Sequence, residues 1–293
     1  MKTKAYIKII VSMLIWGTLG IFTRQTGISS GEIVLYRVII GGLSLLLVYL
    51  FSRKHSTGRM LRKAAPLLLI SGICMGFNWL FLFEAYKHTT VSIATVAYYC
   101  APVIVMLMTP LLFKEKIAPL RVLGIISALV GLVLIVGTVS GTKSDLKGFL
   151  LGLAAAALYS TVTMCNKFAK GISHIEITLI QLLGAFIVML PYCLVTGGGV
   201  LHIPVTVNGI VSMLTLGIVH TGVALFLYFS SLQGLSAQSA ALCSYIDPGS
   251  ALIFSAIFLG DRMSATQIVA AVLILGGALF GEAFSPKRQG RRR

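Results

Sequence analysis

The sequence predicts an all-α integral membrane protein with ten transmembrane helices, arranged as two inverted five-helix repeats. Three observations lead to this fold class. Hydrophobic residues make up 57% of the 293-residue chain and charged residues only 11%, whereas soluble domains carry about a quarter charged residues. Apolar runs long enough to cross a bilayer recur along the chain, and the second half repeats features of the first. We therefore expect a lipid bilayer, not water, to surround most of the chain.

The apolar runs have the length of membrane-spanning helices, which is about 17 to 25 residues for a hydrocarbon core of about 30 Å. Short polar or Gly/Pro-containing turns separate them, and no linker is long enough to fold alone. The basic, apolar N-terminus resembles a signal peptide but lacks a convincing cleavage site, so we interpret it as a retained first span. We expect one domain over residues 1–293. The ten predicted spans are 6–24, 30–51, 65–86, 91–113, 119–138, 148–167, 175–196, 207–231, 236–259 and 265–284.

The net charge of +16 does not indicate nucleic-acid binding, because the basic residues lie in the loops between spans. Loops on the side of the N-terminus hold 18 Lys and Arg residues, including those of the tail 285–293, and the opposite loops hold 5. Basic loops stay in the cytoplasm. The sequence therefore predicts an inner (plasma) membrane protein with both termini cytoplasmic.

The two halves of the chain, residues 1–141 and 148–284, repeat each other. A shift of 146 positions aligns Tyr99 with Tyr245, and it also aligns the pairs Pro102 and Pro248, Glu115 and Asp261, Lys116 and Arg262, and Gly131 and Gly277. Each half holds five spans, and an odd number of crossings makes the second half enter the membrane from the opposite side. Inverted repeats are typical of secondary transporters that work by alternating access.

Four segments carry a resemblance to a known family: "WGTLGIFTR" in the first span, "LYRVIIGG" in the second, "APVIVMLMTPLLFKEKI" in the fourth and "DPGSALIFSAIFLGDRM" in the ninth. With ten spans in two halves, the whole chain resembles the EamA-type branch of the drug/metabolite transporter superfamily. The resemblance implies transport of amino acids, other small metabolites or drugs, commonly outward. It leaves amino acids, cationic drugs and nucleoside-like compounds open as substrates.

Asp247 and Pro248 stand near the middle of the ninth span, and Pro102 occupies the matching place in the fourth. A carboxylate at that depth costs about 2.5–3.5 kcal/mol on insertion scales, so it usually faces a partner or water. The two prolines predict kinks that bound a cavity. Asp247 is interpreted as a substrate or proton site, with a structural cap on the kinked backbone as the alternative. Proton coupling stays open.

Further polar and aromatic side chains recur at helical spacing along the first, third, sixth and eighth spans. We expect them to line a substrate pocket between the halves, although each residue alone is more often a packing residue or a helix-to-helix hydrogen bond. The predicted substrate-binding residues, besides Asp247, are Trp16, Asn78, Trp79, Tyr98, Tyr99, Tyr159, Thr163, His220 and Tyr245.

Arg37 lies about seven residues into the second span, roughly 10 Å deep at 1.5 Å per residue. That depth requires a counter-charge or a path to water. The favoured interpretation is an ion pair with Glu84 or Glu32 that latches the outer side, and the alternative is a binding site for a substrate carboxylate.

Enzyme and pump functions find no support in the sequence, which has no H-E-x-x-H, P-loop or buried Ser–His–Asp spacing. Its five cysteines all fall inside spans without metal-ligand spacing. We expect no cofactor and no metal, with a small molecule and the bilayer as partners. A channel is the alternative from another class, but channels usually repeat their charges around an axis, and Asp247 matches Ala101 in the first half. The sequence gives no oligomeric state.

Overall fold

The fold is taken from a computed structural model that describes residues 2–23, 25–51, 56, 58–89, 94, 97–114, 118–136, 143–169, 171–259 and 265–283. Helices dominate this part of the chain, because backbone groups within a bilayer have no water to bond and must bond each other. In chain order they are α1 (Lys2–Gly17), α2 (Leu19–Thr23), α3 (Ser30–Phe51), α4 (Gly58–His88), α5 (Ala101–Phe113), α6 (Pro119–Val136), α7 (Lys143–Phe168), α8 (His174–Thr196), α9 (Val207–Thr215), a π-helix (Leu216–Val223), α10 (Ala224–Leu232), α11 (Ala237–Cys243), α12 (Ile246–Leu259) and α13 (Ala265–Ala283).

Six helical stretches in the described part are long and apolar enough to cross a membrane: Lys2–Thr23, Ser30–Phe51, Gly58–Ala85, Leu146–Phe168, His174–Thr196 and Val207–Leu232. Three shorter apolar stretches lie at Ala101–Phe113, Pro119–Leu134 and Ile268–Gly281. Large apolar side chains are exposed on both the long and the short helices, such as Leu47, Leu107 and Val272. Side chains of this kind suit contact with lipid tails.

Several of the predicted spans are broken rather than continuous or kinked. The first span breaks at Thr18, between α1 and α2, and the ninth breaks at Ser244 and Tyr245, between α11 and α12. A turn at Tyr99 and Cys100 precedes α5. The predicted proline kinks are therefore corrected to helix starts: Pro102 and Pro248 lie in the first turns of α5 and α12. Proline is tolerated there because the first-turn N–H groups have no intrahelical partner.

Glycine allows two helix pairs to approach closely. On α6, Gly124 lies against Gly277 and Gly281 of α13, and further along Gly131 lies against Ala270, so the two helices run antiparallel. In α4, Gly72 lies against the backbone of Gln181 in α8. Small residues at such crossings are common in membrane proteins, because packing rather than the hydrophobic effect holds the helices together.

The largest buried apolar cluster joins helices from both halves of the chain. It includes Ile9 of α1, Leu35 of α3, Met189 of α8, Tyr228 of α10 and Ala240 of α11. Some of its members, such as Met13, Val34 and Tyr228, also line a central cavity.

Candidate ligand-binding cavity

A cavity of about 590 Å³ lies in the middle of the bundle. Side chains from both halves of the chain line it, and its polar lining includes a carboxyl group, of Asp247, and a guanidinium group, of Arg37. The predicted site residues on its wall are Trp16, Arg37, Asn78, Trp79, Tyr98, Tyr99, Pro102, Tyr159 and Asp247.

The cavity occupies the half of the bundle away from the start of α1. On α1 it is lined from Met13 onward and on α2 as far as Thr23, whereas on α3 it is lined from Ser30 to Arg37. Tyr228 and Phe229 of α10 line it as well, and Tyr228 packs on Trp16 near the end of α1. The cavity therefore reaches from a floor near Tyr228 toward the end of the bundle that holds α2 and the start of α3.

Aromatic rings form a continuous wall along the cavity. Trp16 packs on Tyr228 with ring centroids 5.2 Å apart, and Tyr228 stacks on Tyr159 at 6.2 Å. The series continues from Tyr159 to Tyr98 at 5.7 Å and from Tyr98 to Tyr99 at 5.7 Å. Such a wall offers apolar ring faces, with hydroxyl groups at the edges.

Asp247 lies in the first turn of α12, where the partial positive charge of the helix start stabilises a carboxylate. The Tyr99 hydroxyl donates a hydrogen bond to its Oδ2 at 3.0 Å. No Lys or Arg pairs with Asp247 among the residues that the structure describes. The carboxylate thus combines a neutral partner with a place on the cavity wall.

Arg37 is also on the cavity wall and also has a neutral partner. Its Nε donates to Thr221 Oγ1 at 3.0 Å, and its guanidinium lies 6.0 Å from the centre of the Trp79 ring. The predicted ion pair with Glu84 or Glu32 is wrong for the described residues. Glu84 instead binds Lys87 at 3.0 Å, a contact that raises the pKa of Lys87.

The other predicted partner of Arg37, Glu32, is held at the start of α3. It accepts hydrogen bonds from Ser29 and from the backbone and ring nitrogens of His202. The first turn of a helix is a favourable place for a carboxylate. Ser29, three positions away, and His202, 170 positions away, therefore occupy the Glu32 carboxylate in place of Arg37.

Asn78 has two ends with different surroundings. Its Nδ2 donates to the Ala155 carbonyl of α7 at 2.7 Å, which fixes the orientation of the amide because a carbonyl accepts only from the NH₂ group. Its Oδ1 is buried and has no hydrogen-bond partner in the described part of the chain. Asn78 is thus a fully buried helix-to-helix bond beside the cavity, with one polar atom that the described residues leave unsatisfied.

Four predicted residues lie behind the wall rather than on it. Thr163 bonds the Tyr228 hydroxyl at 3.1 Å, and Tyr245 donates to the Tyr99 carbonyl at 3.1 Å. His220 is buried and contacts Thr18 through Nε2 at 2.9 Å. Pro248 is buried at the start of α12. These side chains support the lining residues and do not contact the cavity themselves.

Two features of the site were not predicted. Tyr228, which forms the floor, sits in the apolar run "ALFLYFSSL", where it resembles a packing residue. The π-helix, which provides Thr221, lies in a run with no proline, and its two glycines gave only a weak signal of irregular structure.

Polar contacts join the helices at the end of the bundle away from the cavity. Arg121 of α6 donates to Ser236 at 3.2 Å and to Ser239 at 2.9 Å, at the start of α11. The Tyr6 hydroxyl of α1 bonds Ser239 at 3.4 Å, and Lys167 of α7 bonds the Leu235 carbonyl. We call the contacts of Arg121 and Tyr6 with Ser236 and Ser239 the latch.

Comparison with known proteins agrees with this architecture. A model of the family described as the EamA-like transporter family matches the chain twice, over residues 3–137 and 146–280. The chain belongs to the EamA-like transporter family. Its transporter membership and the apolar helices together identify a multi-pass membrane protein.

Individual relatives of this EamA-like chain include two proteins of Bacillus subtilis (strain 168). One, named the uncharacterized transporter YxxF, is 29% identical over 279 residues, which are 94% of this chain and 88% of the relative. The other, named the uncharacterized transporter YwfM, is 26% identical over 287 residues, covering 96% and 94% of the two chains. A solved crystal structure shares the fold with a TM-score of 0.85 at 21% identity, over 98% of this chain and all of that one.

Proposed function

We propose that the protein is a secondary transporter that exports a small organic metabolite, such as an amino acid, by alternating access between two inverted repeats. One observation carries the choice of substrate: Asp247 and Arg37 line the same cavity, and the side chain of each has only a hydroxyl group as its hydrogen-bond partner among the described residues. Unpaired ionisable groups inside a membrane domain usually mark a substrate path. Export is the direction that the family resemblance implies.

An amino acid carries both charges that such a cavity can compensate. Its ammonium group would bind Asp247, and its carboxylate would bind Arg37, whose guanidinium matches carboxylate geometry. The aromatic wall of the same cavity would contact an apolar side chain of the ligand. A cavity of about 590 Å³ has room for such a ligand, since small-molecule sites commonly measure about 300–1,000 Å³.

Contacts between equivalent positions support the two inverted repeats, residues 1–141 and 148–284. Tyr245 bonds the carbonyl of Tyr99, and Ser127 bonds the carbonyl of Leu273 at 3.0 Å; each pair is 146 positions apart. A residue touches its own repeat equivalent only near a symmetry axis. The antiparallel crossing of α6 and α13, which are equivalent helices, is the direction expected for an axis in the membrane plane.

A second pair of contacts links corresponding parts of the two halves. Glu32 at the start of α3 binds His202 in the loop after α8, and Glu176 near the start of α8 binds Ser56 in the loop after α3. Ser56 and His202 are again 146 positions apart. Each half therefore holds the matching loop of the other half, at opposite ends of the bundle.

With both termini in the cytoplasm, the cavity opens to the outside and the latch closes the inside. The structure would then represent an outward-facing state. Release of the latch, and closure of the helix ends around α2 and the start of α3, would produce the inward-facing state. This exchange would rock the repeats about the site of Asp247.

The aromatic wall and Asp247 would also suit a cationic drug, which is the second candidate. A cationic ligand has no group for Arg37, and the positive charge of Arg37 would repel it. The dependence of transport on Arg37 therefore separates the two candidates.

The test is a counterflow assay in liposomes with the standard L-amino acids. We expect saturable uptake, trans-stimulated by one or a few of them, and loss of this uptake in both Arg37→Gln and Asp247→Asn. Uptake of cationic drugs that survives Arg37→Gln would favour the second candidate. Fast uptake that neither saturates nor shows trans-stimulation would instead indicate a channel and contradict the proposal.

A further inference from the structure

The π-helix Leu216–Val223 is placed behind the cavity, in the second half of the chain. In this stretch Thr221 Oγ1 donates to the carbonyl of Leu216, five residues earlier, at 2.9 Å. The ring of His220 approaches the carbonyl of Thr215, also five residues earlier, at 3.3 Å. π-Helical turns are rare and often lie at functional sites.

The π-helix holds two residues of the cavity wall. The Trp16 ring donates from Nε1 to the His220 carbonyl at 2.8 Å, and Arg37 donates from Nε to Thr221 Oγ1 at 3.0 Å. Trp16 and Arg37 line the cavity, whereas His220 and Thr221 do not. Consecutive residues of one irregular turn thus support an aromatic face and a cation of the same site.

The bond to Thr221 decides which part of Arg37 faces a ligand. A guanidinium can bind a carboxylate bidentately along its Nε side or across its two terminal nitrogens. Thr221 occupies the Nε side. Nη1 and Nη2 make no hydrogen bond to any residue that the structure describes, so the terminal pair is the edge that stays available.

The hydroxyl group of Thr221 is itself fixed in direction. It donates its single proton to Leu216, so the oxygen lone pairs are the part left for Arg37. Thr221 is fully buried, and its methyl group lies close to Gly41 of α3. Little room exists for Thr221 to rotate, which makes it a rigid support for the longer arginine side chain.

We infer that Thr221 is a positioning residue for ligand selection: through the π-helix it directs the two terminal nitrogens of Arg37 to the carboxylate of the substrate. This inference rests on the proposed function. The terminal nitrogens of Arg37, held in place by Thr221, would give the site its preference for carboxylate-bearing ligands over amides of the same shape. A purely structural Thr221 would support packing without affecting that preference.

The test uses Thr221→Val, which keeps the shape but loses the hydroxyl group, and Thr221→Ser, which keeps the hydroxyl group. The ligands are the L-amino acid that most raises the Tm of the unmodified protein, and its amide, which lacks the negative charge. Affinities come from ligand-dependent Tm shifts and from inhibition of counterflow.

Thr221→Val should weaken binding of the amino acid about tenfold, the size of a lost hydrogen bond to a charged group, and leave binding of the amide nearly unchanged. Thr221→Ser should restore most of the difference. Equal weakening of both ligands, or no weakening of either in a protein with a normal Tm, would overturn the inference. If Thr221→Val does not fold, a Thr221→Ser protein that no longer distinguishes the two ligands would overturn it as well.

Arg37→Gln separates this inference from the proposed function. If Arg37→Gln abolishes the preference for the amino acid and Thr221→Val does not, the substrate class stands and the role of Thr221 is wrong. If Arg37→Gln changes nothing, or no amino acid raises the Tm of the unmodified protein, the proposed function itself fails.

Discussion

At the scale of single residues, Asp247 is the group whose chemistry most directly links the cavity to transport. It has the Tyr99 hydroxyl as its neighbour and the start of α12 beneath it. Both stabilise the carboxylate without neutralising its charge. A proton or an ammonium group of the substrate is the natural counterpart.

Replacement of Asp247 by Asn should separate these two roles. If Asp247 exchanges protons, Asp247→Asn should abolish transport driven by a pH gradient while exchange at equal pH continues, because the amide cannot ionise. If Asp247 binds the substrate ammonium, the variant should weaken binding at every pH, by about tenfold or more. Transport and binding identical to those of the parent would show that Asp247 only caps the backbone.

Tyr99→Phe is the matched control for that experiment. The change removes the hydroxyl group that donates to Asp247 and leaves the ring in the aromatic wall. We expect an effect in the same direction as Asp247→Asn but smaller, since Asp247 remains able to ionise. A loss of folding in Tyr99→Phe, measured as a lower Tm without ligand, would contradict a role confined to the site.

Site residues could be predicted where a charge deep inside an apolar span identified them. Their hydrogen-bond partners in distant parts of the chain could not be predicted. Asp247 and Arg37 stand out in an apolar sequence because charges there need a reason. The partner of Arg37 could not be predicted, because Thr221 lies 184 positions away and is one of many threonines in the sequence. Which of Tyr98, Tyr99 and Tyr245 faces the cavity depended on rotations of short broken helices that no sequence spacing specifies.

At the scale of helices, the crossing of α6 and α13 requires glycine in α13 only on the face that packs against α6. A side chain added at Gly277 would meet the carbonyl of Gly124 and the Ser127 side chain, whereas at Gly276 it would meet nothing within 4 Å. We therefore expect Gly277→Val to destabilise the protein by about 1–3 kcal/mol, as overpacking does. The neighbouring Gly276→Val should leave the Tm in detergent nearly unchanged, and equal Tm losses in both variants would contradict this packing.

The latch is the element whose removal should shift the conformation. Arg121→Ala deletes both hydrogen bonds to Ser236 and Ser239. It should therefore increase the inward-facing population. The measurement is the reactivity, from the cytoplasm, of a cysteine placed at Ala240 in the largest apolar cluster. Arg62→Ala, on the same side of the membrane by the charge pattern but outside the latch, is the control. If both variants behave like the parent, the latch does not hold the closed end.

Helix positions could be predicted better than helix interruptions. An apolar run of membrane length has to be helical, so composition and length alone predicted the places of the six long apolar helices in the described part of the chain. The breaks at Thr18 and Tyr245 keep tighter backbone hydrogen bonds, to Ile15 and Leu242. Contacts between distant parts of the chain accompany the breaks and the π-helix at Leu216–Val223, such as that of Trp16 with His220. Those contacts exist only in the folded chain. The prolines predicted an irregularity near the starts of α5 and α12, but not that each helix would begin there instead of being kinked.

At the scale of the whole molecule, the charge distribution predicts orientation. Tags at both termini should be reachable only from the cytoplasm, because 18 basic residues on one side against 5 on the other is a strong bias. A cysteine placed within 139–147, a segment outside the described residues except from Lys143 onward, should react only from outside. External labelling of either terminus would contradict this orientation.

The most direct test of the account is to measure access to the cavity from each side of the membrane in a variant without native cysteines. One reporter is Gly20→Cys, on the cavity wall with free space around it. The other is Ala240→Cys, which is fully buried in the largest apolar cluster and follows the latch residue Ser239 in the chain. Membrane-impermeant thiol reagents should label position 20 from outside. Addition of a transported amino acid should slow that reaction and accelerate labelling of position 240 from the cytoplasm. Labelling of position 20 that substrate leaves unchanged, or access to both positions from the same side, would contradict alternating access about this cavity.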